Sequence, residues 1–499
     1  MQTEIVNGWR LAATRCEEYA KAVPFAGDLL NFTEPTADAA ASGSNGEVVV
    51  LGFCVDSEGE IQKAEVARWL ADRTADEFPR AVARLGGCFV IFRAGKDGVR
   101  SIWGDATHTV PVYYAKDADG RTVAGSHEKA IADMLGLPES PSFRKMYGGE
   151  YATDSVTVGD VTLYEGVRCL LPNHHLDLDA GTPVRHFPFE DLALYRTDGE
   201  IEAAIDRTIR RACEILRIAA AEMPIAVPLT AGFDSRTVAA LVKNTPMPTP
   251  PVYFTFLLKG MRRDDFDLKV AREVADGLGL DYRVCESEEP PEALREHFEK
   301  TFGETRKWDG TFEHIYLKSF PGRLRLNGSL ADQIGKASIG YSLPDWTASA
   351  LYLMTKHRNV SWRTYPLIRA WRRETKAGAR GYPIYDLWSW ELCLGRWSSD
   401  DFSTHGTAGL REVNVFNCAN ILNDWCKIPR KIRVTKILHR RIMEKLAPEM
   451  LAYPFNPHKK ALDFFRDIRL TLYFGAWVKF VRALLGKRKN RVEWKVPVV

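Results

Sequence analysis

The stretch Ile225-Ala226-Val227-Pro228-Leu229-Thr230-Ala231-Gly232-Phe233-Asp234-Ser235-Arg236 decides how this chain is read. Its first five residues are apolar, too short a run for a helix and too apolar for a surface loop, which makes them a buried strand. The small residues Thr230, Ala231 and Gly232 then form a tight turn, and a helical stretch over 237–243 follows. Upstream, Ile201, Ile205, Ile209, Ala212, Leu216 and Ala219 recur at three- and four-residue spacing, predicting an amphipathic helix of about 20 residues that Pro224 ends. Downstream, a proline-rich connector leads to the strand Val252-Tyr253-Phe254-Thr255-Phe256, a helix over 267–278 and the strand Asp281-Tyr282-Arg283-Val284. Strand alternating with helix is the pattern of a parallel α/β sheet. Beyond residue 340 the chain reads as mostly helical and rich in Trp and Arg.

Residues 1–190 read differently. Val48-Val49-Val50-Leu51-Gly52-Phe53, Cys88-Phe89-Val90-Ile91-Phe92, Val110-Pro111-Val112-Tyr113-Tyr114 and Thr122-Val123-Ala124-Gly125 are strand-like runs between turn signals, with helical periods over 64–70 and 128–135. The expected domains are therefore 1–190, β-rich, and 191–499, α/β with a helical extension. Lys+Arg total 68 against Asp+Glu 65 in 499 residues that are 45% hydrophobic, which excludes disordered, collagen-like and mucin-like chains. A net charge of +3 offers no footprint for nucleic acid. The nine cysteines form no Cys-x-x-Cys pair, and no leader-like or membrane-spanning run is present, so a cytoplasmic location is expected. Over 470–499, Leu472, Tyr473, Ala476, Trp477, Phe480, Val481 and Leu484 form an apolar stripe beside Lys479, Arg482 and Lys487. That stripe suits either core packing with a solvated basic end or peripheral contact with an anionic membrane.

The turn at 229–236 carries the chemistry. Small residues let a ligand approach the backbone, and the following helix directs unpaired N–H groups and a partial positive charge toward it. Thr230 and Ser235 add hydroxyl donors for phosphate oxygens. Asp234 would repel a phosphate unless a Mg²⁺ bridged the two.

This turn resembles the Ser-Gly-Gly-x-Asp-Ser pyrophosphate loop of the asparagine synthetase and ATP-pyrophosphatase (PP-loop) family, with Gly232, Asp234 and Ser235 matching and Thr230 and Ala231 replacing Ser and Gly. Leu326-Asn327-Gly328-Ser329-Leu330-Ala331-Asp332-Gln333 is similar to the family's second motif, in which an Asp shares the magnesium. Gly104-Asp105-Ala106-Thr107-His108-Thr109, Ser126-His127-Glu128 and Leu163-Tyr164-Glu165-Gly166 look like its amino-terminal domain, and Lys436-Ile437-Leu438-His439-Arg440-Arg441 resembles a late Lys-x-x-Leu-Arg segment. The resemblance implies an amino-terminal glutaminase-like αββα (Ntn-hydrolase-like) domain and a carboxy-terminal adenylation domain. It implies ATP and Mg²⁺ as cofactors, with Asp234 and Asp332 on the metal. Leu229, Thr230, Ala231, Gly232, Phe233, Asp234, Ser235, Arg236, Phe256 and Gly328 would line the nucleotide. Lys436, Lys459, Lys460 and Ser329 are the candidate catalytic residues, Arg236 being a further base for the transition state.

Two departures set the expected function. The family's glutaminase uses a cysteine exposed after Met removal, whereas position 2 is Gln and Cys16 sits in a helical-looking Arg15-Cys16-Glu17-Glu18, so no glutaminase is expected. Ser329 stands where the family has a Glu near the amine, and Glu304, Asp309, Glu313 or His314 are the candidate replacements. A divergent ligase is expected that adenylates a small-molecule or peptide carboxylate and lets an amine capture it, similar to lasso-peptide cyclases closing a macrolactam and to β-lactam synthetases. Amidation of a metabolite or sugar acid with ammonia, glutamine-dependent asparagine synthesis and a non-catalytic nucleotide-binding scaffold remain the alternatives. Partner biosynthetic proteins are among the expected partners.

Overall fold

The structure is a computed structural model that describes residues 8–33, 38–143, 158–303, 310–340, 343–356 and 364–456. Its amino-terminal part is laid down by β1 (Trp9–Ala12), β2 (Lys21–Phe25), β3 (Asp28–Phe32), β4 (Asp38–Gly43), β5 (Gly46–Asp56), β6 (Leu85–Gly95), β7 (Arg100–Gly104), β8 (Tyr113–Lys116), β9 (Thr122–Gly125), β10 (Arg168–Cys169), β11 (His174–Asp177) and β12 (Thr182–Arg185). These make two antiparallel sheets, in the orders β10-β8-β9-β1-β3-β2 and β12-β11-β7-β6-β5-β4.

The run at 88–92 shows why the sheets stack. Along β6, Val90 and Phe92 face the first sheet, where Phe92 meets Trp9 edge-on at 5.0 Å, while Phe89 and Ile91 face helices Val66–Ala71 and Phe78–Arg84. A strand buried on both faces reads as continuously apolar rather than alternating. Helix Glu128–Leu135 covers the outer face of the first sheet through Ile131 and Ala132, completing a helix–sheet–sheet–helix stack. Arg15-Cys16-Glu17-Glu18 lies in irregular backbone and a turn after β1 rather than in the expected helix, because the Cys16 N–H is taken by the Asn31 side chain at 2.9 Å.

The second part begins with the helix Asp198–Glu222, capped by the reciprocal Thr197–Glu200 pair. β13 (Ile225–Pro228), β14 (Val252–Leu257), β15 (Tyr282–Glu286), β16 (Leu324–Asn327) and β17 (Glu412–Asn414) form a wholly parallel sheet, in the order β15-β14-β13-β16-β17. The chain winds from β13 out to β15, then returns to place β16 on the other side of β13. The crevice at the carboxyl ends of β13 and β16 is thus a topological switch point, where open α/β sheets present ligand sites. β16 and β17 escape the sequence reading because Leu-Arg-Leu-Asn and Glu-Val-Asn carry charges. Those charges pair with each other across the strands, Arg325 with Glu412.

The two parts are joined by buried polar contacts. Asn417 donates from Nδ2 to the Asp105 carboxylate at 2.8 Å and to the Gly87 carbonyl at 2.6 Å. Arg185 and Asn173 reach Glu391 from the other side. Among the described residues no helix is long and apolar enough to cross a membrane. The stripe at 470–499 lies outside the described residues, as do Lys459, Lys460, Glu304 and Asp309.

Candidate functional site

Leu229 leaves β13 with its N–H on the Phe254 carbonyl at 2.8 Å, which fixes the start of the turn against β14. Thr230 and Ser235 face each other across it, their hydroxyls 2.8 Å apart, and the Thr230 hydroxyl also accepts from the Gly232 N–H at 3.0 Å. The Ala231 N–H is held by Asp267 Oδ1 at 3.0 Å. Helix Phe233–Lys243 starts four residues earlier than the sequence predicts, since Asp234 is favoured in a first turn. Its cap is Gly232, which offers no side-chain acceptor, so the N–H groups of the first turn face the crevice uncapped.

Asp234, in that first turn, is almost fully buried. Its Oδ2 receives Lys336 Nζ at 2.5 Å and its Oδ1 lies 2.7 Å from His439 Nε2, which donates. The same ammonium reaches Asp332 Oδ1 at 3.0 Å. Asp332 follows β16 on a π-helical winding, Ala331–Gly335, a wide turn that recurs at functional sites, and Lys336 caps its end. Burial alone would raise the Asp234 carboxyl, but Lys336 and His439 outweigh it and hold the group at about 2. Burial would likewise lower Lys336, and the two aspartates reverse that and raise it. His439 is pushed down by its burial, with Asp234 only partly opposing. The two carboxylates are hard oxygen donors from separate elements that share one ammonium, a donor set that suits Mg²⁺. No cluster of three or more His, Cys, Asp or Glu side chains placed for a metal occurs among the described residues.

The structure assembles much of the expected set but reassigns several members. Gly328 packs so tightly under Asp234 that a Cβ there would lie 2.7 Å from Val238 Cγ2 and 3.3 Å from the Asp234 carbonyl. Ser329 is buried with its N–H on Asn327 Oδ1 at 2.8 Å. Lys436, in the left-handed conformation at φ 64°, heads helix Ile437–Leu446 and sets its ammonium 4.6 Å from the centre of the Phe233 ring. Arg236 is not offered to a ligand. Fully buried, it donates to the carbonyls of Ala231, Met450, Tyr453 and Pro454 and lies over the Phe455 ring, so it clamps the carboxy-terminal segment onto the turn. Burial lowers its pKa to about 10. Phe256 is also withdrawn, sealed between Phe254 and Phe312 beneath helix Thr311–Ser319. Glu313 faces His405 Nε2 at 3.4 Å in a buried network with Glu412 and Arg325, and His314 faces Glu288. Sequence reasoning missed Lys336 and His439 as members of the site. Lys336 stands one helical turn after Asp332, the spacing of an ion pair, and that signal was available.

No family model matches the sequence, and no curated protein matches it. Among solved structures, the chain is similar to glutamine phosphoribosylpyrophosphate amidotransferase from B. subtilis, complexed with ADP and GMP, at 12% identity and a TM-score of 0.23. That match covers 59% of this chain and 65% of that one. An allosteric regulatory enzyme of purine biosynthesis matches at 13% identity and a TM-score of 0.24, covering 59% of this chain and 64% of its own. The chain therefore spans less than two thirds of either structure, and likeness of this size assigns no activity.

Proposed function

We propose that the chain is an ATP-dependent amide-forming ligase of the asparagine synthetase-like type. A substrate carboxylate attacks the α-phosphorus of ATP, pyrophosphate departs, and an amine captures the acyl-adenylate with release of AMP. The observation that carries this reading is the convergence of Asp234 and Asp332 on one cation position beside an uncapped helix N-terminus at the sheet's switch point. In this reading Asp234 and Asp332 hold the Mg²⁺, which offsets charge on the departing pyrophosphate. The first-turn N–H groups receive phosphate oxygens, and the Lys436 ammonium adds positive charge at the same mouth. Buried Phe233 and half-buried Phe455, stacked at 3.9 Å, form an apolar floor to the turn.

In the same reading the amino-terminal sandwich is a glutaminase-like relic. Cys16 is buried against Tyr19, and its sulfur accepts from Arg10 Nε at 3.2 Å, a poor position for a nucleophile. The amine then comes from ammonia or from the substrate itself, as in lasso-peptide closure, where intramolecular capture makes a glutaminase unnecessary. All nine cysteines are free thiols, in keeping with a reducing, cytoplasmic setting, and nothing in the charge favours nucleic acid. One observation favours a non-catalytic nucleotide-binding scaffold instead: the Thr230 and Ser235 hydroxyls satisfy each other. Exchange of labelled pyrophosphate into ATP, driven by a panel of carboxylates including peptides, separates the two. Carboxylate-dependent exchange supports the ligase. ATP binding without exchange supports the scaffold, and neither binding nor exchange refutes both.

A further inference from the structure

Two carboxylates that converge on one point repel each other unless a cation lies between them. The chain supplies its own, because Lys336 Nζ lies 2.5 Å from Asp234 and 3.0 Å from Asp332. The remaining oxygens are also engaged. Asp234 Oδ1 receives His439 at 2.7 Å, and Asp332 Oδ2 receives Gln333 Nε2 at 3.1 Å. A Mg²⁺ bound by these aspartates needs oxygens at about 2.0–2.1 Å, well inside the space the ammonium takes. Ammonium and metal are therefore mutually exclusive.

We propose that Lys336 is an internal competitor for the divalent cation, occupying the position between Asp234 and Asp332 and yielding it only when metal arrives with a nucleotide. This rests on the reading of the crevice as a metal–nucleotide site. The charge balance gives the reason for the coupling. With Lys336 in place, the two carboxylates and one ammonium leave a net charge of minus one, which attracts cations but rejects a bare phosphate. Metal alone would have to push a paired ammonium out of a largely buried pocket and leave it without a counter-charge, a costly exchange. When a metal brings phosphate oxygens to the first turn of helix Phe233–Lys243, the displaced ammonium gains a new partner. Its flexible four-carbon stem starts one turn from Asp332, and Asp234 itself belongs to that first turn. Lys336 thus acts as a positioning residue that couples metal entry to nucleotide entry.

Binding of Mn²⁺ to the nucleotide-free protein, followed by the electron paramagnetic resonance signal of the free ion, tests this without any turnover. The wild type is expected to bind Mn²⁺ weakly at this site. Lys336→Met and Lys336→Gln should each tighten binding at least tenfold, and Lys336→Arg, which keeps the cation, should stay weak. Adding Asp234→Asn to Lys336→Met should abolish the gain. Adding ATP should tighten Mn²⁺ binding more in the wild type than in Lys336→Met. Equal affinity of wild type, Met and Gln variants, whether tight or undetectable, overturns the competitor, as does a gain that survives Asp234→Asn. Pyrophosphate exchange is scored separately: its absence beside a Lys336-dependent gain in Mn²⁺ affinity would refute the ligase and leave the competitor standing.

Discussion

Two buried aspartates, one in each part of the molecule, are held in opposite ways. Asp105, at the end of β7, is caged by neutral donors: the N–H groups of Phe89, Thr107 and Thr109, the Thr109 hydroxyl and the Asn417 amide. Burial raises its pKa despite that cage. Asp234 is held by an ammonium and an imidazole, and its pKa is driven down to about 2. A cage of fixed dipoles from a tight loop and a facing domain is a structural joint. A carboxylate paired with the ammonium of a flexible four-carbon stem can exchange that partner for a ligand.

The comparison breaks first, and with the largest effect, at Asp105. Asp105→Ala strands five buried donors and should cost roughly 4 kcal/mol of stability in chemical denaturation. Pyrophosphate exchange per folded molecule should stay near the wild-type value. Next comes Asp234→Ala, for which a loss of exchange of at least about 100-fold is expected, equivalent to about 2.8 kcal/mol. Its loss of stability should be smaller than that of Asp105→Ala. If the two variants lose stability equally and exchange equally, the distinction between joint and site fails.

How much of this was legible follows from the same residues. The buried strand and small-residue turn at 225–232 are legible because a short apolar run and small turn residues point one way, whereas the helix expected from 237 begins at Phe233. The stretches at 122–125 and 128–135 were read with the bounds of β9 and of helix Glu128–Leu135. β16 and β17 were not, because Arg325 and Glu412 hide each other's charge only once the strands are side by side. The role of Arg236 was misread for a related reason. Its basic side chain beside a phosphate-type turn looks functional, and only the fold brings the carbonyls of Met450, Tyr453 and Pro454 around it. His439 has no local signal, since it reaches Asp234 from an element far away in the chain, whereas Lys336 is signalled only through its spacing from Asp332.

Two smaller effects sharpen the comparison. His108 is buried beneath Gly104 in the Asp105 loop, and burial lowers its pKa to about 4. Its unfolded value is about 6.5, so the unfolded state binds the extra proton and stability falls with pH across that window. The expected loss from this group between pH 7 and pH 5 is about 2 kcal/mol. Asp401, raised to about 7 mainly by burial, acts with the opposite sign. The readout is therefore the difference in pH slope between the wild type and His108→Gln, and equal slopes would contradict the assignment. Gly328→Ala, finally, should cost about 1 kcal/mol or slightly more, because its Cβ would meet Val238. The same shift under Asp234 should lower exchange severalfold while leaving the Asp105 joint untouched.

The most direct test of the central claim is a crystal structure with ATP and Mn²⁺, read from the anomalous signal of the metal. The account predicts one Mn²⁺ peak between Asp234 and Asp332, phosphate oxygens on the first-turn N–H groups of helix Phe233–Lys243, and Lys336 withdrawn onto a phosphate. A nucleotide bound elsewhere, or a metal–nucleotide seated in the crevice with Lys336 still bridging both aspartates, would contradict it.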